Sequence, residues 1–215
     1  MLAERMNTFS GSPTSALIAK VAELRAEGKD IISLNVGEPD FGTPDYIKCG
    51  AIKAIVDNFS KYTAGNGIIE LRRLISKKLH EDNNLEYTTD EICATVGAKQ
   101  AIFNSIMALV DPGDEVLLPV PCWVSYTEMI KFAGAKPVFV DVEAETFDLD
   151  IEALEKAVTT KTKAIVICTP NNPTGTANVT ATDGFIPVIN AIGATHAPAI
   201  ALSVGKFPPG AITPT

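Results

Sequence analysis

From residue 92 onward the sequence repeats one rhythm: a short apolar run, a turn, an amphipathic helical stretch, then another apolar run. Ile92 to Val96, Glu115 to Pro119, Pro137 to Val140 and Ala164 to Cys168 are the runs, short enough for strands and apolar enough to be covered on both faces. Between them, Lys99 to Leu109, Ser125 to Phe132 and Ile151 to Val158 carry apolar residues at helical spacing, the last with Asp150 at its capping position. Turn chemistry such as Asp111-Pro112-Gly113-Asp114 separates them. Strands alternating with helices predict an α/β fold, an open parallel-type sheet with helices on both faces.

Helices dominate the residues before it. Ser12-Pro13 pairs a capping residue with proline at a first helical position and leads into Leu17, Ile18, Val21 and Leu24 before Gly28, which predicts a helical arm within residues 1–30. Ile31 to Val36 is a short apolar run ahead of the loop Gly37-Glu38-Pro39-Asp40. Thr43-Pro44 opens a second helix through Ile47, Ala51 and Ile55, and a third runs from Ile69 to Asp82. The other end is of different composition: of 18 basic and 26 acidic residues, only Lys206 and Asp183 fall between Ala177 and Thr215. Prolines at 187, 198, 208, 209 and 214 would interrupt any long helix there. Three segments result: the arm 1–30, an α/β region 31–176, and an atypical low-charge tail 177–215 that shows no clear structural pattern.

Charge and composition exclude several classes of function. A net charge of −8 works against phosphate-backbone binding, so nucleic acid is not an expected partner. No run approaches the roughly 18 to 20 uncharged apolar residues of a membrane helix, and Met1 to Ser10 carries Glu4 and Arg5 rather than a leader pattern, so a cytoplasmic location and no membrane partner are expected. Cys49, Cys93, Cys122 and Cys168 are widely separated, with no paired spacing and no nearby histidine. They predict no metal site, only reduced and mostly buried thiols.

Seven short motifs follow one another between residues 9 and 176. They are Ser12-Pro13-Thr14; Gly37-Glu38-Pro39-Asp40-Phe41 with Thr43-Pro44; Lys61-Tyr62-Thr63 with Gly67; Val96-Gly97-Ala98-Lys99-Gln100; Asp111-Pro112-Gly113-Asp114-Glu115-Val116; Trp123-Val124-Ser125-Tyr126; and Asn172-Pro173-Thr174-Gly175. In this order and spacing the stretch resembles the class I aminotransferases that use pyridoxal 5'-phosphate, of the bacterial aspartate aminotransferase type. The resemblance implies that residues 31–176 are part of the large, cofactor-binding domain of the fold-type I enzymes. It also sets the strand at Ile92 to Val96 apart from the other three. That strand is then expected to lack a partner, and Ala164 to Cys168 to show an open edge unless the tail supplies a strand.

Site residues follow from the same resemblance. Gly97, Ala98 and Lys99 correspond to the residues that hold the cofactor phosphate, and a helix beginning there has free N–H groups and a favourable dipole for an anion. On its own, the segment reads equally as an ordinary strand-to-helix turn. Trp123, the only tryptophan, matches the ring that covers one face of the cofactor, although a lone Trp is commonly a core residue. Cys122 stands where the family usually has an aromatic residue. Asn172 matches the side chain that holds the cofactor's ring hydroxyl oxygen and the substrate carboxylate, a role compatible with forming a turn. Tyr62 matches a tyrosine that crosses to the partner subunit's cofactor phosphate, implying a homodimeric parent protein. Gly37 would offer its N–H to the substrate carboxylate. Lys99 would also approach the second carboxylate of an aspartate-like donor, or stand simply as a solvated surface lysine.

The family further requires a lysine bound covalently to the cofactor, an aspartate on the ring nitrogen and substrate-binding arginines, and none has a counterpart in this sequence. Lys206 lies too close after Gly175 to match, and Asp183 lacks a preceding apolar strand. No catalytic residue is therefore assigned. The expectation is amino transfer between an amino acid and a 2-oxo acid by the parent enzyme, with no activity in these 215 residues alone. A non-catalytic binding fragment is the alternative. A nucleotide-binding domain is disfavoured because Gly65-Asn66-Gly67 follows no strand and no Gly-Lys-Ser/Thr occurs.

Overall fold

A computed structural model describes residues 3–7, 11, 13–34, 37, 39, 41–176, 189–190 and 199–204. They fall into two compact units, Gly11–Ala94 and Met1–Ser10 with Thr95–Thr215.

The second of these is built on a sheet. Its strands are β1 (Glu115–Val120), β2 (Lys136–Asp141), β3 (Thr162–Thr169), β4 (Ile189–Asn190) and β5 (Ala199–Val204), in the spatial order β2-β1-β3-β5-β4. Side chains on successive residues point to opposite faces, so β1 and β3 each feed two cores. Val116 and Leu118 of β1 join Ala164, Val166 and Cys168 of β3 in a cluster with Ile102, Ile106, Tyr126 and Ile130. Leu117, Ile165 and Ile167 face the other way, with Val140 and Leu154. The first cluster is closed by helices α4 (Gly97–Leu109) and α5 (Ser125–Phe132), the second by α6 (Ile151–Ala157). On α4 the buried Ile102 and Ile106 are four apart and the half-buried Phe103 meets Phe132 of α5 at 5.5 Å between ring centroids. Asp150 caps α6 as its sequence suggests, its Oδ1 accepting the N–H of Ala153 at 2.8 Å. The predicted three-layer α/β arrangement is present.

β1 pairs in parallel with both β2 and β3, as expected. Two features depart from expectation. Residues 92–95 form no strand; Ile92 is buried, but the segment enters no ladder among the described residues. A strand needs a repeated ladder of hydrogen bonds to a neighbour, and among the described residues this segment makes only isolated ones, such as the Ala94 N–H to the Asn66 carbonyl at 3.0 Å. The second departure concerns β3. Its free edge is covered by the low-charge segment: β5 runs antiparallel to it, pairing Ala164 with Val204 through Thr169 with Ala199, and β4 pairs antiparallel with β5. The sheet is therefore mixed, three parallel strands extended by an antiparallel pair.

The Gly11–Ala94 unit contains α1 (Pro13–Ala26), α2 (Asp45–Val56) and α3 (Ile69–Asn83). Its best-anchored residue is Arg72 on α3, whose buried guanidinium donates to the carbonyls of Gly67 at 3.2 Å and Thr89 at 2.7 Å. Gly67 has φ +97°, and a Cβ there would lie 2.8 Å from that of Ala94. Both the backbone angle and the close approach require glycine. Elsewhere this unit buries little. α2 has no buried residue, and its Ile52, Ile55 and Val56 are 60%, 75% and 71% exposed. On α1, Val21 and Leu24 are half-buried while Leu17 and Ile18 are exposed, so the predicted arm is helical with a largely uncovered apolar face. Its expected capping residue Ser12 and half of the Gly37 to Asp40 loop (Glu38 and Asp40) lie outside the described residues, as do Asp183 and Lys206.

Among the described residues no helix is long and apolar enough to cross a membrane, and no cluster of His, Cys, Asp and Glu could hold a metal. The cysteines are all free, but only Cys168 is buried. Cys49 and Cys93 are exposed and Cys122 is intermediate, so the expectation of mostly buried thiols does not hold. Two of them lie before α4, where few of the described residues are buried.

Candidate functional site

α4 opens at Gly97, whose φ of +77° turns the chain into the helix. The turn is pinned on three sides. The Gly97 N–H donates to the Thr95 carbonyl at 2.9 Å, Thr95 Oγ1 donates to the Gly97 carbonyl at 3.0 Å, and the Val96 N–H donates to Gln100 Oε1 at 2.6 Å. A Cβ built at Gly97 would meet nothing within 4 Å, so the space outside this helix end is open. Donors in a helix's first turn have no partner within the helix, and those of Ala98 and Lys99 belong to that turn.

Trp123 lies between the end of β1 and the start of α5, half-buried against the apolar cluster. Tyr126, one turn on and buried, meets it edge to face, with 5.3 Å between centroids and an interplanar angle of 86°. Lys99, exposed, reaches from α4 over the indole, its Nζ 4.9 Å from the ring centroid. Two residues 24 positions apart in the sequence, each assigned to the same site, are thereby brought together.

Asn172 follows β3 in a loop that folds back on itself. The Asn171 N–H donates to the Thr176 carbonyl at 2.8 Å, and the Gly175 N–H donates to the Asn171 carbonyl at 2.7 Å. Asn171 Nδ2 donates both to Thr174 Oγ1 at 2.9 Å and to the Pro121 carbonyl at 3.0 Å. That last bond fastens the Asn172 loop to the segment bearing Trp123. Asn172 itself is exposed. A cleft opens here at the carboxyl ends of β1 and β3, where open parallel sheets receive ligands, and Pro121, Cys122, Tyr126, Cys168, Asn171 and Thr176 are among its lining.

Burial within the cleft keeps Cys122 and Tyr126 neutral. Burial raises the Cys122 thiol, with a smaller contribution from Cys168. The Tyr126 hydroxyl is raised far above its ordinary range, chiefly by burial and next by a hydrogen bond with the Cys168 thiol. Both groups are protonated at neutral pH, so the positive charge of Lys99 meets no thiolate or phenolate from these residues.

Gly37 and Tyr62 belong to the other compact unit. Gly37 is exposed, and Tyr62 is fully exposed at 107%. Sequence reasoning missed Asn171 and quoted Gln100 only within a motif, the two side chains that pin the loops carrying the assigned residues. A polar doublet before Asn-Pro and a Gln in a helix's first turn were the available signals. Tyr126 was quoted only as part of a motif, although its spacing of three from Trp123 within a helical turn anticipates their contact.

Known proteins share this sequence and fold. The family model for aminotransferase class I and II matches residues 29–181. The chain is 48% identical over 176 residues to a protein of Rickettsia conorii named probable aspartate/prephenate aminotransferase, covering 81% of this chain and 44% of that one. It is 44% identical over 175 residues to the aspartate aminotransferase of Bacillus subtilis, again covering 81% and 44%. Among solved structures, Thermus thermophilus aspartate aminotransferase with maleate superposes with a TM-score of 0.80 at 43% identity, over 83% of this chain and 47% of that one. The chain thus spans less than half the length of the relatives it matches. On the family match, the ordered motifs and the shared fold, the chain belongs to the class I and II aminotransferases.

Proposed function

We propose that this chain contributes the cofactor-phosphate and ring-stacking half of a pyridoxal 5'-phosphate-dependent aminotransferase that moves an amino group from an aspartate-like donor to a 2-oxo acid. One observation carries the reading most: Lys99, in the first turn of an open helix end, lies over the single tryptophan at 4.9 Å. An anion site and a flat aromatic surface are thereby contiguous, which is what a ring bearing a phosphate needs.

The residues fit the cofactor. The open space outside Gly97 leaves room for a phosphate against the N–H groups of Ala98 and Lys99. Trp123 is held at a fixed tilt by Tyr126 and would stack on the ring. Asn172, with an exposed amide that offers both a donor and an acceptor, would hold the ring hydroxyl oxygen and the substrate carboxylate. The Gly37 N–H would bind the same carboxylate. Tyr62, fully exposed, would serve the phosphate of a second subunit in a homodimer. When bound, the cofactor supplies the electron withdrawal that makes the donor's α-proton acidic. This chain's part is to orient that ring, exclude water from its Trp123 face and place a cation beside the donor's second carboxylate. Aspartate and prephenate, both in the names of relatives, each carry such a second carboxylate.

The test uses the whole natural gene product with pyridoxal 5'-phosphate, aspartate and 2-oxoglutarate. Amino transfer from aspartate that Lys99→Met weakens about tenfold or more in kcat/KM, with alanine as donor much less affected, supports the reading. Equal losses for both donors refute the role of Lys99 in substrate choice, and no transfer to any 2-oxo acid refutes the function.

A further inference from the structure

We infer that Lys99 is the resting occupant of the Trp123 ring face, displaced by any planar ring that enters the site and then freed to pair with an anionic group of the incoming ligand. The inference rests on the cofactor reading above and adds to it a competition within the empty site. A cation in the first turn of a helix stands at the positive end of the helix dipole, an unfavourable place for it. Among the described residues Lys99 has no carboxylate within ion-pairing reach, although eleven other ion pairs form. Its recorded partner is the electron-rich indole, well inside the roughly 6 Å over which a ring face attracts a cation.

Only the lysine can yield. Trp123 packs against the core cluster and is held edge to face by Tyr126, itself 2% exposed, so the indole stays where it is. The lysine side chain is long, exposed and freely rotatable. A ring stacked on the indole and an ammonium over the same face exclude each other. A neutral ring must therefore compete with Lys99, whereas an anionic ring compensates by pairing with it. Selection for a planar ring that also carries negative charge is built into two side chains.

Trp123 is the only tryptophan, so its emission reports this site directly in the 215-residue chain. The first readout needs no ring. Iodide, an anion, should quench Trp123 more strongly relative to neutral acrylamide in the natural chain than in Lys99→Met, and Lys99→Arg should restore the ratio. An unchanged ratio overturns the contact and the inference with it. The second readout titrates pyridoxine, which carries no net charge, and pyridoxine 5'-phosphate. Lys99→Met should bind pyridoxine about two- to fivefold more tightly than the natural chain, the factor expected of one exposed cation–ring contact. Its preference for the phosphorylated ring should fall about tenfold, and Lys99→Arg should behave as the natural residue does. Equal pyridoxine affinity in the natural chain and Lys99→Met overturns the competition while leaving the cofactor site intact. Binding of neither ring in any variant overturns the cofactor reading and the displacement together.

Discussion

Gly97→Ala and Gly50→Ala make the same chemical change in equally open surroundings and should have opposite signs. A Cβ at either position would meet nothing within 4 Å, so no steric clash contributes at either. The difference is the backbone. Gly97 has φ +77°, where an L-residue is strained by about 1 to 2 kcal/mol. Alanine also restricts the unfolded chain, which returns roughly 0.4 to 1 kcal/mol. The net for Gly97→Ala is a loss of about 1 kcal/mol. Gly50 lies inside α2 (Asp45–Val56) with no positive φ, and alanine there gains about 0.5 to 1 kcal/mol of helix stability. The assay for Gly97 is urea unfolding followed by Trp123 emission, which reports the sheet-containing unit. For Gly50 it is amide hydrogen exchange within α2. A stabilised Gly97→Ala would refute the left-handed turn into α4, and with it the geometry that opens this helix end to an anion. A destabilised Gly50→Ala would mean that α2 is packed at that position by something other than these residues.

Three further outcomes are expected. The Glu115 carboxylate accepts hydrogen bonds from Thr159 Oγ1 at 2.7 Å and Lys136 Nζ at 3.2 Å, which hold it below the usual glutamate range. Its contribution is present above the unfolded value of about 4.3 and disappears as pH falls through the lower folded value. Glu115→Gln should therefore flatten the acid limb of urea stability measured from pH 7 to 3, and an unaltered limb contradicts this. A chain ending at Thr176 lacks β4 and β5, leaves the β3 edge bare, and should associate more than residues 1–215 in light scattering; a shorter chain that stays monodisperse contradicts the pairing. These 215 residues with pyridoxal 5'-phosphate, aspartate and 2-oxoglutarate should show no turnover, since no lysine in them matches the family's covalent one; turnover abolished by Lys206→Ala would assign that role to Lys206.

Legibility in the sequence depended on whether a feature is local. β1 and β3 could be read because both of their faces are buried, so nearly every residue from Val116 to Leu118 and from Ala164 to Cys168 is apolar. Ser125–Phe132 could be read to the residue from its apolar spacing. Ile92 to Val96 has the same composition as a strand, yet Val96 is 89% exposed and no neighbour pairs with the segment. Composition records apolar character and not the presence of a partner. β5 was illegible for the converse reason. Ala199 to Val204 is apolar but for Ser203, yet its flanking prolines masked it, and only the bare edge of β3 gives it a place. At the site, the turn that opens α4 is local and was visible in Gly97-Ala98-Lys99. The contact between Lys99 and Trp123 depends on how α4 and the β1–α5 connection pack, which no spacing encodes.

The central claim is that the start of α4 and Trp123 form one site for a phosphorylated ring. Its most direct test is Trp123 emission during titration of the 215-residue chain with pyridoxal 5'-phosphate, in the presence and absence of inorganic phosphate. The account predicts saturable quenching that inorganic phosphate relieves by competing for the N–H groups of Ala98 and Lys99. Emission that stays unchanged while circular dichroism shows the chain folded, or quenching indifferent to phosphate, would contradict it.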